Sequence, residues 1–179
     1  FEGNTVFSNL KLKFAIQNKW SPLSGIFEVG LLNRNELELD KARIRELYWN
    51  HGYLDFEIKN LTVTPNIDDP EFVDIHFVIN EGKQYKIGEL HISGNKIYQT
   101  EDLSNFVILK KGDIFNFEKE QLSCQGINAL YEELGYADVV CEPVRRSDFE
   151  KNIVDIDFVI KEGRKYTVRD VVISGNHVT

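Results

Sequence analysis

The chain has 179 residues, of which 42% are hydrophobic and 12% aromatic, and this composition is typical of a folded globular protein rather than a disordered one. Its net charge of −8 disfavours nucleic-acid binding, because that function needs a basic surface to displace counterions from the phosphates. No run of about 18 apolar residues is present, so the sequence predicts no membrane-spanning helix.

A first helix is predicted near the N-terminus. Ser8 belongs to the residue types that cap helices, and the residues behind it suit a helix over 9–18. On this helix we expect Leu10, Phe14 and Ile16 to face the core.

An irregular segment with proline and glycine follows at residues 19–34. It is roughly ten residues longer than the segment at the same place in the second half of the chain, so it is an inserted loop. Trp20 and Phe27 are large apolar residues within it. We consider them a candidate contact for a partner, and packing against their own domain is the alternative.

Residues 36–51 carry the strongest helical pattern of the sequence, with charged residues opposite an apolar face. Gly52 is well placed to end this helix in the left-handed conformation. The residues of the apolar face are Leu37, Ile44, Leu47, Tyr48 and His51.

Strict alternation of apolar and charged residues comes next and predicts a half-buried strand over residues 54–61. Turn-forming residues at 65–70 and an apolar run at 72–79 predict the rest of a hairpin. The alternating residues are Leu54, Phe56 and Ile58 on one face, and Asp55, Glu57 and Lys59 on the other.

The same order of elements returns after Gly82. A strand is predicted first, then a helix that Thr100 caps, a longer helix and a hairpin. Residues 166–174 then predict the opening strand of a further unit. The predicted ranges are 85–93, 100–107, 117–134, 137–142 and 153–160.

An internal repeat relates the two halves. The segment VDIHFVINEGKQYKIGELHISGN at residues 73–95 returns at 154–176 as VDIDFVIKEGRKYTVRDVVISGN, an offset of 81 residues. A Gly-Tyr-x-Asp segment likewise occurs at 52–55 and at 135–138. Such self-similarity predicts small domains in series. The predicted domains are residues 1–82, with most of the opening strand missing, residues 83–163, and residues 164–179 as the opening strand of a following unit.

Each unit is predicted to be an α+β domain with the order strand, helix, helix, strand, strand. The last two strands form an antiparallel hairpin, and the crossover through two helices places the opening strand parallel to the last strand. Both helices then cover one face of a three-stranded mixed sheet. The last strand is central, and the first strand of the hairpin is an exposed edge.

These units resemble polypeptide-transport-associated (POTRA) domains. The resemblance rests on Gly-Tyr-x-Asp before the hairpin, Glu-Gly-x-x-Tyr after it and a closing Gly-Asn, in the same order twice. The greatest similarity is to the tandem domains of BamA-type outer-membrane assembly proteins. It implies a non-enzymatic periplasmic scaffold, attached to the outer membrane through a C-terminal β-barrel outside this sequence. It also implies unfolded outer-membrane proteins and accessory lipoproteins as partners.

Three other protein classes with such domains remain as alternatives. They are two-partner secretion transporters, other protein-translocating barrels such as chloroplast-type importers, and cell-division membrane proteins with a single POTRA domain. The tandem copies argue against the last of these.

The first strand of each hairpin is the candidate partner-binding site. An edge strand has unpaired N–H and C=O groups, and another extended chain can pair with them whatever its sequence. The alternative is an edge strand that binds no partner and whose charged side chains prevent pairing with other chains. The candidate residues are Leu54, Asp55, Phe56, Glu57, Ile58 and Lys59 in the first unit, and Ala137, Asp138, Val139 and Val140 in the second.

The two cysteines are predicted to approach each other. Cys124 shares the apolar stripe of the long helix, and Cys141 lies on the inward face of the strand that returns beneath it. The helix advances about 15 Å after Cys124, and the strand returns roughly 20 Å. A disulfide, which a periplasmic location permits, and two buried thiols are the alternatives. POTRA domains do not require these cysteines.

The sequence predicts no catalytic, metal or cofactor site. The histidines, at positions 51, 76, 91 and 177, lack the spacing of a metal site. The glycines near residues 94 and 175 lack the pattern of a phosphate-binding loop. Acidic residues are scattered over solvent faces and turns, so no pair can be assigned as acid and base.

Overall fold

Each half of the chain folds into a hairpin of two long strands with helices packed against it. The structure, a computed structural model, describes residues 1–16, 34–69 and 72–172, and within these ranges no helix is long and apolar enough to cross a membrane. The elements are α1 (Asn9–Ala15), α2 (Arg34–Trp49), β1 (Glu57–Pro65), β2 (Val73–Asn80), β3 (Lys86–Ser93), α3 (Thr100–Ser104), α4 (Phe117–Glu133), β4 (Val140–Asp148) and β5 (Ile153–Lys161).

The second half contains a three-stranded mixed sheet in the order β3–β5–β4. β5 is central, because it pairs in parallel with β3 and antiparallel with β4. Alternate residues of β5, from Val154 to Ile160, are buried on one face. Leu103 of α3 and Ile127 of α4 belong to the same buried cluster. The predicted fold class, with two helices on one face of a mixed sheet, is confirmed.

The first half has the same plan with a much shorter opening strand. β1 and β2 pair antiparallel along their whole length. On the other side of β2, Glu2 forms a parallel bridge through backbone hydrogen bonds of 2.9 Å to Phe77 O and from Ile79 N. α2 covers this sheet, and its Tyr48 is fully buried in a cluster with Phe77.

α1 is shorter than predicted and turns a different face to the core. Ser8 caps it as predicted, but the helix has only seven residues. Leu12 is fully buried and Ile16 is 5% exposed, whereas Leu10 and Phe14 are 65% and 72% exposed. The inward orientation predicted for Leu10 and Phe14 is therefore wrong. Leu10 and Phe14 are four residues apart, as are Leu12 and Ile16, so spacing alone does not distinguish the two faces. Packing against α2 selects the face with Leu12.

The hairpins begin three residues later than predicted. Residues 54–56 and 137–139 lie before β1 and β4, in turns that backbone hydrogen bonds close. Phe56 N donates to Tyr53 O over 3.2 Å, and Val139 N donates to Tyr136 O over 3.3 Å. The residues placed on edge strands by the sequence but found in these turns are Leu54, Asp55, Phe56, Ala137, Asp138 and Val139.

Two further elements differ from the sequence prediction. α3 ends at Ser104 rather than near residue 107, and Gln99 instead of Thr100 is its N-cap residue. After the helix, Ile108 N donates a hydrogen bond to Ser123 Oγ of α4 at 2.9 Å, which holds this segment against α4. Residues 164–172 form no strand. β3 pairs with the last strand of its own unit, and no strand within the described residues pairs with residues 164–172.

Candidate partner-binding edges

β1 is an edge strand. Eight of its nine residues pair with β2, and no described residue pairs with its opposite side. At the end of the hairpin, Asn66 donates its N–H to Phe72 O over 3.0 Å. Because backbone groups alternate sides along a strand, Leu61, Val63 and Pro65 direct theirs to the open side. Leu61 and Val63 offer both N–H and C=O groups there, and Pro65 offers a carbonyl.

The first part of β1 is less suited to pairing. Its register with β2 shifts between Ile58 and Asn60, so Lys59 is a bulged residue. Lys59 also forms a surface ion pair with Glu57 at 2.7 Å. Bulges and lysines both limit pairing at sheet edges. The predicted residues Glu57, Ile58 and Lys59 do lie on β1, but the more regular part of its edge follows them.

The side chains of β1 distinguish two faces after the bulge. Leu61 and Val63 are half-buried, and Leu61 lies opposite the buried Phe77 of β2. Thr62 and Thr64 are exposed on the other face. A strand added beside β1 would therefore meet an apolar face on the helix side and a polar face on the other.

β4 is the corresponding edge of the second unit, and a proline interrupts it. Pro143 lies opposite Phe158 in the middle of the pairing with β5. Proline has no N–H, and within a sheet its nitrogen faces an open edge. The open side of β4 therefore has N–H groups at Cys141, Arg145 and Ser147, with a gap at Pro143. Val140 lies on this strand as predicted. The predicted range ended before Pro143, although a proline within an alternating pattern indicates an edge.

Two of the predicted edge residues have a structural role in the turns. Tyr85 donates its N–H to Gly52 O at 2.8 Å and its hydroxyl to Asp55 Oδ2 at 2.7 Å. Tyr166 repeats both bonds in the second unit, with its hydroxyl 2.5 Å from Asp138 Oδ2. Burial, followed by the bond to Asp55, raises the pKa of Tyr85 to about 12. The Gly-Tyr-x-Asp and Glu-Gly-x-x-Tyr motifs thus bind one another at the end of each unit.

Glu81 joins the beginning of the first unit to its long helix. The residue is 7% exposed, and its carboxylate accepts hydrogen bonds from Tyr48 Oη at 2.7 Å, Thr5 Oγ1 at 2.5 Å and Val6 N at 3.0 Å. Burial alone raises the pKa of this carboxyl. The hydrogen bonds outweigh burial, so its pKa lies below the usual value.

Glu162 has the same role in the second unit. Its carboxylate accepts hydrogen bonds from Tyr131 Oη at 3.0 Å, Lys96 N at 2.6 Å and Ile97 N at 2.8 Å. Burial again opposes these bonds, and they lower the pKa of the Glu162 carboxyl. The glutamate of each Glu-Gly pair is therefore structural.

The C-terminus of α2 contacts the N-terminus of α4 and so joins the two halves. Asn50 O accepts a hydrogen bond from Asn116 Nδ2, and Asn50 Oδ1 accepts one from Glu118 N, both at 2.8 Å. The rings of Trp49 and Phe117 meet edge to face at 5.3 Å. An open cleft of about 330 Å³ lies beside these contacts. It is lined by Asn50, His51, Gln84, Asp113, Ile114, Asn116 and Lys119.

The remaining predicted site residues are the loop pair and the cysteines. Trp20 and Phe27 lie outside the described residues. Cys124 and Cys141 are free thiols whose Sγ atoms lie 3.0 Å apart. Across residues 1–16, 34–69 and 72–172, no three His, Cys, Asp or Glu side chains form a group that could hold a metal ion.

Comparison with known proteins identifies the family. The POTRA family model, described as a surface antigen variable number repeat, matches residues 1–82 and 85–163. The chain belongs to the POTRA family. Its resemblance to BamA-type tandem POTRA domains is confirmed by the crystal structure of Haemophilus influenzae BamA POTRA3-5. That structure matches with a TM-score of 0.78 and 25% identity, covering 99% of this chain and 69% of that chain.

Relatives of this POTRA chain carry the name outer membrane protein assembly factor BamA. The Neorickettsia risticii protein is 28% identical over 178 residues, covering 98% of this chain and 24% of the relative. The Neisseria meningitidis protein is 26% identical over 190 residues, covering 100% of this chain and 23% of the relative. The chain thus spans about a quarter of the length of these relatives.

Proposed function

We propose that this chain is a periplasmic part of a machine that assembles and inserts outer-membrane proteins. In this role it receives extended segments of unfolded outer-membrane proteins along the open side of β1. The observation that carries the proposal is the open backbone edge from Leu61 to Pro65. The names of the BamA relatives support the context of outer-membrane assembly.

Pairing at this edge uses the backbone of the incoming segment. An added strand exchanges hydrogen bonds with the N–H and C=O groups of Leu61 and Val63, and every residue type except proline can do so. Sequence tolerance follows, because the side chains of the incoming segment point away from the pairing direction. A factor that serves many different substrates needs this tolerance.

The two faces of β1 suit strands of outer-membrane barrels in particular. Such strands alternate apolar and polar residues, because one face meets lipid and the other the barrel lumen. Beside β1, the apolar residues of an incoming strand would extend the face of Leu61 and Val63. Its polar residues would lie on the exposed face with Thr62 and Thr64.

β4 is the weaker acceptor of the two edges. The missing N–H at Pro143 removes one hydrogen bond from the middle of any added strand. Charge also protects the strand, because Glu142 forms an ion pair with Lys161 of the neighbouring β5 at 2.6 Å. The strand remains open on either side of Pro143, at Cys141 and at Arg145 with Ser147.

The wider context of the chain belongs to the same proposal. A C-terminal membrane barrel in the full-length chain would hold these domains at the periplasmic side of the outer membrane, and accessory lipoproteins would bind other surfaces of the array. Binding requires no catalytic group. The buried carboxylates of Glu81 and Glu120 and the partly buried carboxylate of Glu162 all have hydrogen-bond partners and structural roles, which supports a non-enzymatic function.

Replacing Val63 by Pro tests the proposal at the backbone. The change removes an N–H from the open side and leaves the β1–β2 hydrogen bonds in place. Loss of this hydrogen bond and of the regular edge is expected to weaken binding about tenfold. The measurement is a chemical-shift titration with a peptide that has the alternating sequence of a barrel strand.

Val63→Thr is the matched control, because it keeps the N–H and the β-branched side chain. It should bind the peptide as the wild type does. Thr62→Pro removes a donor that faces β2, so it should lower the melting temperature much more than Val63→Pro. Equal peptide affinity of Val63→Pro and the wild type, with both folded, would exclude capture at this edge.

A further inference from the structure

Cys124 and Cys141 place two sulfur atoms side by side between α4 and β4. Their Sγ atoms lie 3.0 Å apart, and the residues are 6% and 7% exposed. The sequence has no other cysteine, so each has the other as its only intramolecular partner. We propose that this pair forms a disulfide under oxidising conditions and ties α4 to the edge strand β4.

The surroundings make the sulfur pair a fixed feature of the core. Both cysteines belong to the same buried cluster as Ile127 of α4 and Phe158 of β5. A second link between α4 and β4 lies nearby, where Glu120 accepts a hydrogen bond from Arg145 Nε at 2.8 Å. Glu120 lies one helical turn before Cys124, and its ion pair with Arg145 limits sliding of α4 along β4. A sulfur–sulfur bond of about 2.05 Å needs the thiols to approach by about 1 Å, which side-chain rotation can supply.

The two thiols also differ in acidity. The hydrogen bond between the two sulfurs lowers the pKa of Cys141 and raises that of Cys124. Burial opposes the lower pKa of Cys141 and adds to the higher pKa of Cys124. Cys141 is accordingly the sulfur that becomes a thiolate first and starts the exchange reaction.

The oxidant is a disulfide of a dithiol–disulfide oxidoreductase or of a small thiol such as glutathione. The Cys141 thiolate attacks one oxidant sulfur, a mixed disulfide forms, and one oxidant thiolate leaves. The Cys124 thiolate then attacks Cys141 Sγ, the intramolecular bond forms, and the second oxidant thiolate leaves. The two protein sulfurs lose two electrons, the oxidant disulfide gains them, and the protons of the two protein thiols pass to the released thiolates.

The bond would fix the beginning of the β4 edge. Cys141 is flanked by Val140 and Glu142, whose side chains are exposed on the opposite face. The loop that the bond closes spans 17 positions, and closing a loop of this size restricts the unfolded chain. The oxidised protein is therefore expected to melt on the order of 10 °C higher than the reduced protein.

The experiment compares the wild-type chain in a buffer of oxidised and reduced glutathione with the same chain under a dithiol reductant. Intact mass should fall by two hydrogen atoms in the oxidised sample, and thiol counting after unfolding without reductant should find none. The melting temperature of the oxidised sample should be on the order of 10 °C higher than that of the reduced sample. Hydrogen exchange of the β4 amides nearest Cys141 should slow by several-fold.

Cys124→Ser and Cys141→Ser provide the controls, because each removes the partner of the remaining thiol. Their melting temperatures should not depend on the redox buffer. Two reactive thiols in the oxidised wild type, a stable glutathione adduct, or a disulfide-linked dimer would each overturn the proposal. A disulfide that forms without raising the melting temperature would overturn the claim that it stabilises the packing of α4 on β4.

Discussion

Glu81 and Glu162 illustrate how individual residues hold each unit together. Each carboxylate accepts a hydrogen bond from the tyrosine of the long helix and from backbone N–H groups near the beginning of its unit. Glu81 is buried and Glu162 is partly buried, and a carboxylate withdrawn from water needs such partners. Here the partners come from distant parts of the sequence. The repeat locates both glutamates, but it does not show what they bind.

Replacing Glu81 by Gln tests this role. The amide would direct N–H groups at donors that now meet a carboxylate, so the free energy of unfolding at neutral pH should fall by about 1–3 kcal/mol. The pKa of Glu81 is lower in the folded than in the unfolded chain, so its contribution is complete above the usual value of 4.5. It is lost as the pH falls through the folded-state pKa.

Urea unfolding from neutral to acidic pH measures both effects of Glu81→Gln. The variant should lose less stability on acidification than the wild type. Glu57→Gln is the control, because Glu57 lies in an exposed surface ion pair and should change stability little. An acid profile identical to that of the wild type would show that the Glu81 carboxylate does not stabilise the fold.

At the scale of elements, periodicity predicted the long helices and the strands, and it failed at their ends. The alternation of Leu54 and Phe56 indicated a strand, but Phe56 is buried in a turn by stacking on Tyr48 at 4.2 Å. Alternation in the sequence cannot distinguish a ring that is buried on a strand from a ring that is buried in a turn. α1 shows the same limit, because the choice between the faces of Leu10 and Leu12 depends on a helix distant in sequence.

Replacing Pro143 by Val tests whether the proline protects the β4 edge. The change restores an N–H on the open side, worth about 0.5–1.5 kcal/mol in a hydrogen bond. Binding of an extended peptide at β4 should therefore become about twofold to tenfold tighter. Chemical-shift titration with the residues of β4 as reporters measures the change, and sedimentation velocity should show more self-association.

Val144→Thr is the control for Pro143→Val, because it alters a neighbouring exposed side chain and leaves the backbone donors unchanged. It should bind peptides at β4 as weakly as the wild type. A folded Pro143→Val protein with unchanged binding at β4 would mean that other features, such as the ion pair of Glu142, protect this edge.

At the scale of the whole molecule, the repeat predicted two units in series but not the contact between them. The residues at that contact are Trp49 and Asn50 at the end of α2, and the equivalent positions of α4 are Glu132 and Glu133. Arg145 of the second unit also lies over the Trp49 ring, 5.8 Å from its centroid. Trp49 and Asn50 are not repeated in the second copy, so comparison of the two copies could not reveal the contact.

The contact predicts that the two units move as one body, and Trp49→Ala combined with Asn50→Ala should release them. The double variant loses the hydrogen bond from Glu118 N to Asn50 Oδ1 and the aromatic pair, together worth about 2 kcal/mol, and keeps the bond to the backbone carbonyl of residue 50. Residual dipolar couplings from both units should fit one alignment tensor in the wild type and require two in the variant. Asn60→Ala, an exposed position on β1, should keep a single tensor. A single tensor for the double variant would show that the remaining connection alone sets the orientation of the units.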